Sequence, residues 1–276
     1  MTEIQTVVTD LDDTLSYEHN ITAENRAALD ETMKAGIPVI AVTTRMRYSA
    51  ASILKGTGIT SYPGICLNGA HILGPGWEKS DCQVLYSKDL SLDVASAVVR
   101  YADEMGYEIT TIFKEKKYWK ERRDRGAELS PGDPAAVIVK KNTCAVDQTP
   151  PVSFMMHSEI NGEEGMRDME NFVMENFSKR TIIHRHHRME KWTTITIYPG
   201  GINKGTALHK LSELGIVNLK YTLAIGNDYV DLPMLEAAAV GIAMEDSPEE
   251  VRNVADEIAP SCLESGFSWA LRRYLL

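Results

Sequence analysis

The chain has 276 residues, enough for one large domain or two of ordinary size. Its composition, 43% hydrophobic and 25% charged, is that of a folded globular protein and excludes a disordered one. A formal charge of −10, from 29 basic and 39 acidic residues, argues against a broad nucleic-acid or anionic-membrane surface but leaves room for a local basic pocket.

The first elements alternate strand and helix. TVVTD (6–10) is short and β-branched, the pattern of a strand buried on both faces. Thr22 is placed to cap a helix that carries Leu29 and Met33 at helical spacing and stops at Gly36. PVIAVTT (38–44) reads as a second buried strand, so the two strands form a parallel pair joined by a right-handed crossover.

The middle of the chain has a different grammar. SLDVASAVVRYADEMG (91–106) predicts an amphipathic helix with Val94, Val98, Tyr101 and Met105 on one stripe. YEITTIF and KKYW read as strands, followed by the charged stretch KERRDRGAELSPGDP. VSFMMHSE predicts a strand, EEGMRDMENFVMENFS a helix, and RTIIHRHHR and TTITIYP two more strands. This is an open α+β layer set into the parallel pattern.

The last third returns to alternation. KGTALHKLSELG (204–215) predicts a helix with Leu208, Leu211 and Leu214 near one face, YTLAIGN (221–227) a strand, DLPMLEAAA (231–239) a helix and VGIAM (240–244) a strand. The expected fold is α/β, a doubly wound parallel sheet with an inserted α+β domain, divided as 1–82, 83–190 and 191–276. Ligands of such sheets bind at the carboxyl ends of the strands.

Those strand ends carry the chemistry. Asp10, Asp12 and Asp13 follow the first strand within four residues, although like charges that close oppose each other's ionisation. Two uses offset that repulsion: a hard cation such as Mg²⁺ with oxygen ligands, or a carboxylate nucleophile paired with a second carboxyl for proton transfer. Taken alone, the cluster also reads as a solvated acidic turn. The other strand ends decide against that. The second strand ends in Thr43-Thr44-Arg45, Lys204 opens a helix where an anion would suit it, and the last-third strand runs into GNDYVD with Asn227, Asp228 and Asp231.

In this order the segments resemble the haloacid dehalogenase superfamily of phosphatases. DLDDT (10–14) is similar to its DxDxT signature, and VTTR, INKGTAL and IGNDYVDLPML are similar to its further motifs. CLNGAHI (66–72) resembles a segment of the Cof-type branch, and the insert resembles that branch's type IIB cap. The resemblance implies Asp10 as nucleophile of an aspartyl-phosphate and Asp12 as general acid and base. It implies Mg²⁺ on Asp10, on the backbone carbonyl of Asp12 and on the loop of Asn227, Asp228 and Asp231, with either Asn227 or Asp228 as the direct loop ligand. Thr43, Thr44, Arg45 and Lys204 would bind phosphate, Asn68 would line the substrate loop, and the cap would close over a small phosphorylated substrate, a sugar phosphate or similar monoester.

Two positions depart from the family pattern. Thr44 replaces a glycine, and GNDYVD has Asn227 where the family has its first acid and Val230 where it has asparagine. Weaker metal binding with retained activity is the expectation.

Other readings compete. A phosphomutase or a specialised sucrose- or mannosylglycerate-type phosphatase could use the same residues. A phospho-acceptor signalling module also combines acids, Thr and Lys, but Asp12 would hydrolyse its acyl-phosphate. His184–Arg188 alternate between two faces of a strand and so cannot all converge on one metal. The basic run KEKKYWKERRDR (114–125) is diluted by acids and reads as a solvated loop, not a nucleic-acid patch. Cys66, Cys82, Cys144 and Cys262 show neither CxxC nor zinc spacing and read as reduced thiols. With no signal peptide and no apolar run near the roughly 18 residues of a membrane helix, a cytoplasmic protein without a membrane partner is expected.

Overall fold

The structure, a computed structural model, describes residues 3–120, 136–188 and 192–276. Residues 121–134 of the charged stretch, and with them the end of the basic run, lie outside the described residues. The chain divides into two compact units, Met1–Ser87 with Asn203–Leu276, and Lys88–Ile202.

In chain order, the first unit begins with β1 (Thr6–Thr9), α1 (Ala23–Lys34), β2 (Val39–Val42), α2 (Arg47–Ile53), β3 (Gly64–Cys66), β4 (His71–Leu73) and β5 (Val84–Ser87). The second unit holds α3 (Leu92–Met105), β6 (Thr110–Ile112), β7 (Lys117–Lys120), β8 (Ala136–Val139), β9 (Ser153–His157), α4 (Ser158–Phe177), β10 (Thr181–Arg188) and β11 (Trp192–Pro199). The first unit resumes with α5 (Lys204–Glu213), β12 (Thr222–Gly226), α6 (Leu232–Ala237), β13 (Val240–Met244), α7 (Glu249–Val254), β14 (Glu257–Ala259) and α8 (Gly266–Tyr274).

The sheet of the first unit runs β14-β13-β12-β1-β2-β3-β4-β5. Its strands from β14 to β3 pair in parallel, and β4 and β5 close one edge antiparallel. The parallel strands are buried throughout β1, β2 and β12, which is why their sequences are continuous apolar and β-branched runs without alternation. Val8, Ile40, Val42, Ile65 and Ala224 from the sheet pack with Leu208, Leu211, Met234 and Leu235 from α5 and α6. Thr22 caps α1 by accepting the amide of Asn25, and Gly36 beyond its end sits at φ +82°. Because β1 lies between β2 and β12, chain segments leave it in opposite directions, and its carboxyl end is the topological switch point of the sheet.

The second unit is a sheet of order β10-β11-β9-β6-β7-β8, antiparallel except for the β7–β8 pair. Its helices cover one face: Val94, Val98, Met166, Met169 and Val173 pack against Phe154, Met156, Ile195 and Ile197. The stripe expected on α3 holds for Val94 and Val98, whereas Met105, at the last turn before Gly106, is half exposed. Arg185 bonds Glu163 and Glu170 of α4, so it points to the helix side, as strand alternation requires if His184 and His186 face away. The unit spans Lys88–Ile202 where 83–190 was expected. The physical reason is pairing: β5 bonds β4 in the first sheet, and β11 bonds β9 and β10 in the second.

Candidate active site

Asp10 is the first residue past β1, and its amide donates to the carbonyl of Ile225 on β12 at 2.9 Å. That bond fixes the carboxylate at the switch point, where only 6% of the residue is exposed. Lys204, the first residue of α5, is fully buried, and its Nζ donates to Asp10 Oδ1 at 2.5 Å and to Asp231 Oδ1 at 2.5 Å. Asp10 Oδ2 has no hydrogen-bond partner among the described residues.

Asp231 is fully buried, and its Oδ2 accepts the amides of Asn227 at 2.9 Å and Asp228 at 3.0 Å. Asp231 was expected among the metal ligands; here, with Oδ1 on Lys204, both of its oxygens accept hydrogen bonds. It holds the lysine and folds the 227–231 loop. Gly226 permits this, since a Cβ there would lie 2.6 Å from Asp231 Cβ.

Burial pushes the Asp10 carboxyl up to about 8; Lys204 pulls it down, and Asp231 and Asp12 add to the rise. Burial alone would lower Lys204, but the charges and hydrogen bonds of Asp10 and Asp231 hold it above its ordinary value. One ammonium and two carboxylates, all shielded from water, leave a net negative charge that a proton or a cation would neutralise.

Asp12 sits beside this group with its side chain 39% exposed. Arg45 grips it with a parallel fork, Nε to Oδ2 at 2.7 Å and Nη2 to Oδ1 at 2.6 Å. Arg45, expected to bind phosphate, donates here to Asp12 and, through Nη1, to Ser49. Thr43 is fully buried at the end of β2; its Oγ1 accepts the amide of Arg45 at 3.1 Å, and its carbonyl accepts the amide of Asn68 at 3.0 Å. Thr44 is half-buried, and its hydroxyl makes no hydrogen bond among the described residues.

Asn68 lies in a turn where Leu67, Asn68 and Gly69 all take positive φ, at +51°, +56° and +96°. Each non-glycine residue held there costs on the order of 1–3 kcal/mol, a strain that collects where ligands bind. Both side-chain polar atoms of Asn68 are buried without a hydrogen-bond partner, so a polar ligand would satisfy them.

Asn227 Oδ1 accepts the Thr14 hydroxyl at 2.9 Å, and Asp228 Oδ1 accepts the amide of Tyr229 at 2.6 Å. Val230 is buried and offers no donor. Among the described residues no three His, Cys, Asp or Glu side chains gather around one point. The oxygens that a cation could use are the Asp10 carboxylate, the Asp12 carbonyl and the Asn227 amide, with Asp228 nearby. That set is all oxygen, which fits a hard cation. Sequence reasoning missed two partners, Ser49, which accepts Arg45 Nη1 at 3.0 Å, and the Thr14 hydroxyl. Thr14 had a signal, as the threonine of DLDDT; Ser49 had none.

The parallel sheet thus brings an acid, a hydroxyl and a lysine together at its switch point. The family model for haloacid dehalogenase-like hydrolases matches residues 7–271. Phosphatase YwpJ of Bacillus subtilis (strain 168) is 24% identical, over 98% of this chain and 99% of that protein. YitU of the same organism, a 5-amino-6-(5-phospho-D-ribitylamino)uracil phosphatase, is 23% identical over 97% and 96%. The solved structure of the subclass IIB sugar phosphatase BT4131 superposes with a TM-score of 0.80 at 18% identity, covering 98% of each chain. The chain belongs to the haloacid dehalogenase-like hydrolase family and is a phosphoric monoester hydrolase.

Proposed function

We propose that this hydrolase is a cytoplasmic Mg²⁺-dependent phosphatase of a small metabolite, a sugar phosphate or similar monoester, that works through an aspartyl-phosphate on Asp10. The observation that carries the reading is the Asp10 carboxylate, with one oxygen on buried Lys204 and the other uncommitted.

In this reading Asp10 Oδ2 attacks phosphorus, the bond to the leaving oxygen breaks, and that oxygen takes a proton from Asp12. Asp12 then takes a proton from water as the water oxygen attacks phosphorus, and the bond to Asp10 breaks. Lys204 lowers the repulsion between Asp10 and the phosphoryl oxygens, and Thr43 and Asn68 offer polar groups to them. Asp10, the Asp12 carbonyl and Asn227 would hold Mg²⁺, with Asp228 contributing charge nearby; the ion would supply positive charge against the phosphoryl group. Family membership supports a metal, and the all-oxygen donor set supports Mg²⁺ in particular.

The test is turnover of p-nitrophenyl phosphate with and without Mg²⁺ by wild type and Asp10→Asn. Many turnovers by wild type and loss of at least about 10³-fold in the variant are expected, since an amide is a poor nucleophile. Substantial turnover by Asp10→Asn removes Asp10 from the nucleophile role. A panel of hexose phosphates, pentose phosphates and the YitU substrate then separates the monoesters.

A further inference from the structure

We propose that Arg45 is a positioning residue for Asp12 and not a phosphate-binding one; this rests on the phosphatase reading, in which Asp12 is the acid and base. Of the five N–H groups of the guanidinium, Nε–H and one on Nη2 go to the two oxygens of Asp12, and one on Nη1 goes to Ser49, in the first turn of α2. The backbone of Arg45 is fixed as well: its amide donates to Thr43 Oγ1, and its carbonyl accepts the amide of Leu67 at 3.0 Å. Among the described residues the Asp12 carboxylate has no other hydrogen-bond partner.

Stability does not explain this pair. Arg45 and Asp12 side chains are 20% and 39% exposed, and pairs with that much access to water contribute about 0–1 kcal/mol. A bidentate fork instead fixes direction, which lysine cannot do. The fork engages both oxygens of Asp12 at once, so a single neighbour sets the plane and direction of the carboxyl group. The Leu67 contact ties the same arginine to the turn that carries Asn68, so the acid and the buried amide are set by one residue.

The experiment compares wild type, Asp12→Asn, Arg45→Gln, Arg45→Lys and the double variant Asp12→Asn/Arg45→Gln on p-nitrophenyl phosphate and on glycerol phosphate, with inorganic phosphate as inhibitor. Misaiming a catalytic group costs on the order of 10²-fold, so both Arg45 variants should lose about that in kcat on glycerol phosphate. On p-nitrophenyl phosphate, whose leaving group needs no proton, the loss should be much smaller. The phosphate inhibition constant should stay within about twofold, and the double variant should be no worse than Asp12→Asn. A phosphate inhibition constant that rises at least tenfold in both Arg45 variants, or losses that add in the double variant, overturns the proposal. Full activity of Asp12→Asn on glycerol phosphate instead overturns the assignment of Asp12 on which it rests. Arg45→Lys retains the charge, so it decides the matter if Arg45→Gln does not fold.

Discussion

Asp10, Lys204 and Asp231 place two carboxylates and one ammonium where water does not reach, and the imbalance has consequences that can be measured. In metal-free protein the Asp10 carboxyl sits at about 8 against an ordinary 3.8, so between those values the native state holds a proton that the unfolded chain releases. Its contribution to stability is complete below the lower value and is lost as pH rises through the upper one. Chelator-treated protein is therefore expected to show a falling urea midpoint from about pH 5 to pH 8.5, and Asp10→Asn a flatter profile. Equal slopes would remove Asp10 from the linkage. A second prediction concerns Asn227, which brings an amide oxygen to a position where a carboxylate would bring charge as well. Asn227→Asp should lower the Mg²⁺ concentration giving half-maximal activity by about tenfold, the scale of roughly 1.4 kcal/mol. Asn227→Ala should raise it, and a larger rise in Asp228→Ala would make Asp228 the direct ligand.

At the scale of elements, the site depends on how closely α5 approaches its neighbours. Gly205, the second residue of α5, lies against the carbonyl of Pro233 at the start of α6, and a Cβ there would collide with backbone. Gly205→Ala should push these helices apart, cost about 1–3 kcal/mol by overpacking and move Lys204 off Asp10. Thermal melting and kcat on p-nitrophenyl phosphate should fall together; an unchanged kcat in a destabilised protein would separate the helix contact from the site. These elements also mark what the sequence discloses. β1, β2 and β12 were legible because burial on both faces demands apolar runs, and α5 because its leucines repeat at helical spacing. The strands β3 and β4 are three residues each, and α2 is seven residues long with no side-chain cap from Met46 before it, so periodicity had nothing to register. The acids, Thr43 and Lys204 were legible as strand-end residues. The partners were not: Asp12 and Arg45 are 33 positions apart and Lys204 and Asp231 27, and only the folded sheet decides which oxygen meets which cation.

At the scale of the whole chain, Asp10, Asp12, Thr43, Arg45, Asn68, Lys204 and Asn227 all belong to the first unit, although 115 positions of insert, Lys88–Ile202, separate Asn68 from Lys204 in sequence. Such an arrangement asks the insert to form its own core without help from the catalytic sheet. Its apolar residues meet that demand, since Phe154, Met156, Ile195 and Ile197 are buried beneath α3 and α4 within the same unit. The two ends of the insert are also joined locally, as Lys88 Nζ donates to the carbonyl of Gly200 at 2.9 Å. A chain of roughly a hundred residues with one buried cluster is in the range that folds alone. The fragment 88–202 is accordingly expected to unfold cooperatively in urea, to give dispersed amide resonances and to show no turnover of p-nitrophenyl phosphate. Dispersed resonances with a sharp transition would establish the insert as an autonomous domain. A fragment that binds a hydrophobic dye and melts without a transition would show instead that its packing is completed only when the flanking chain is present.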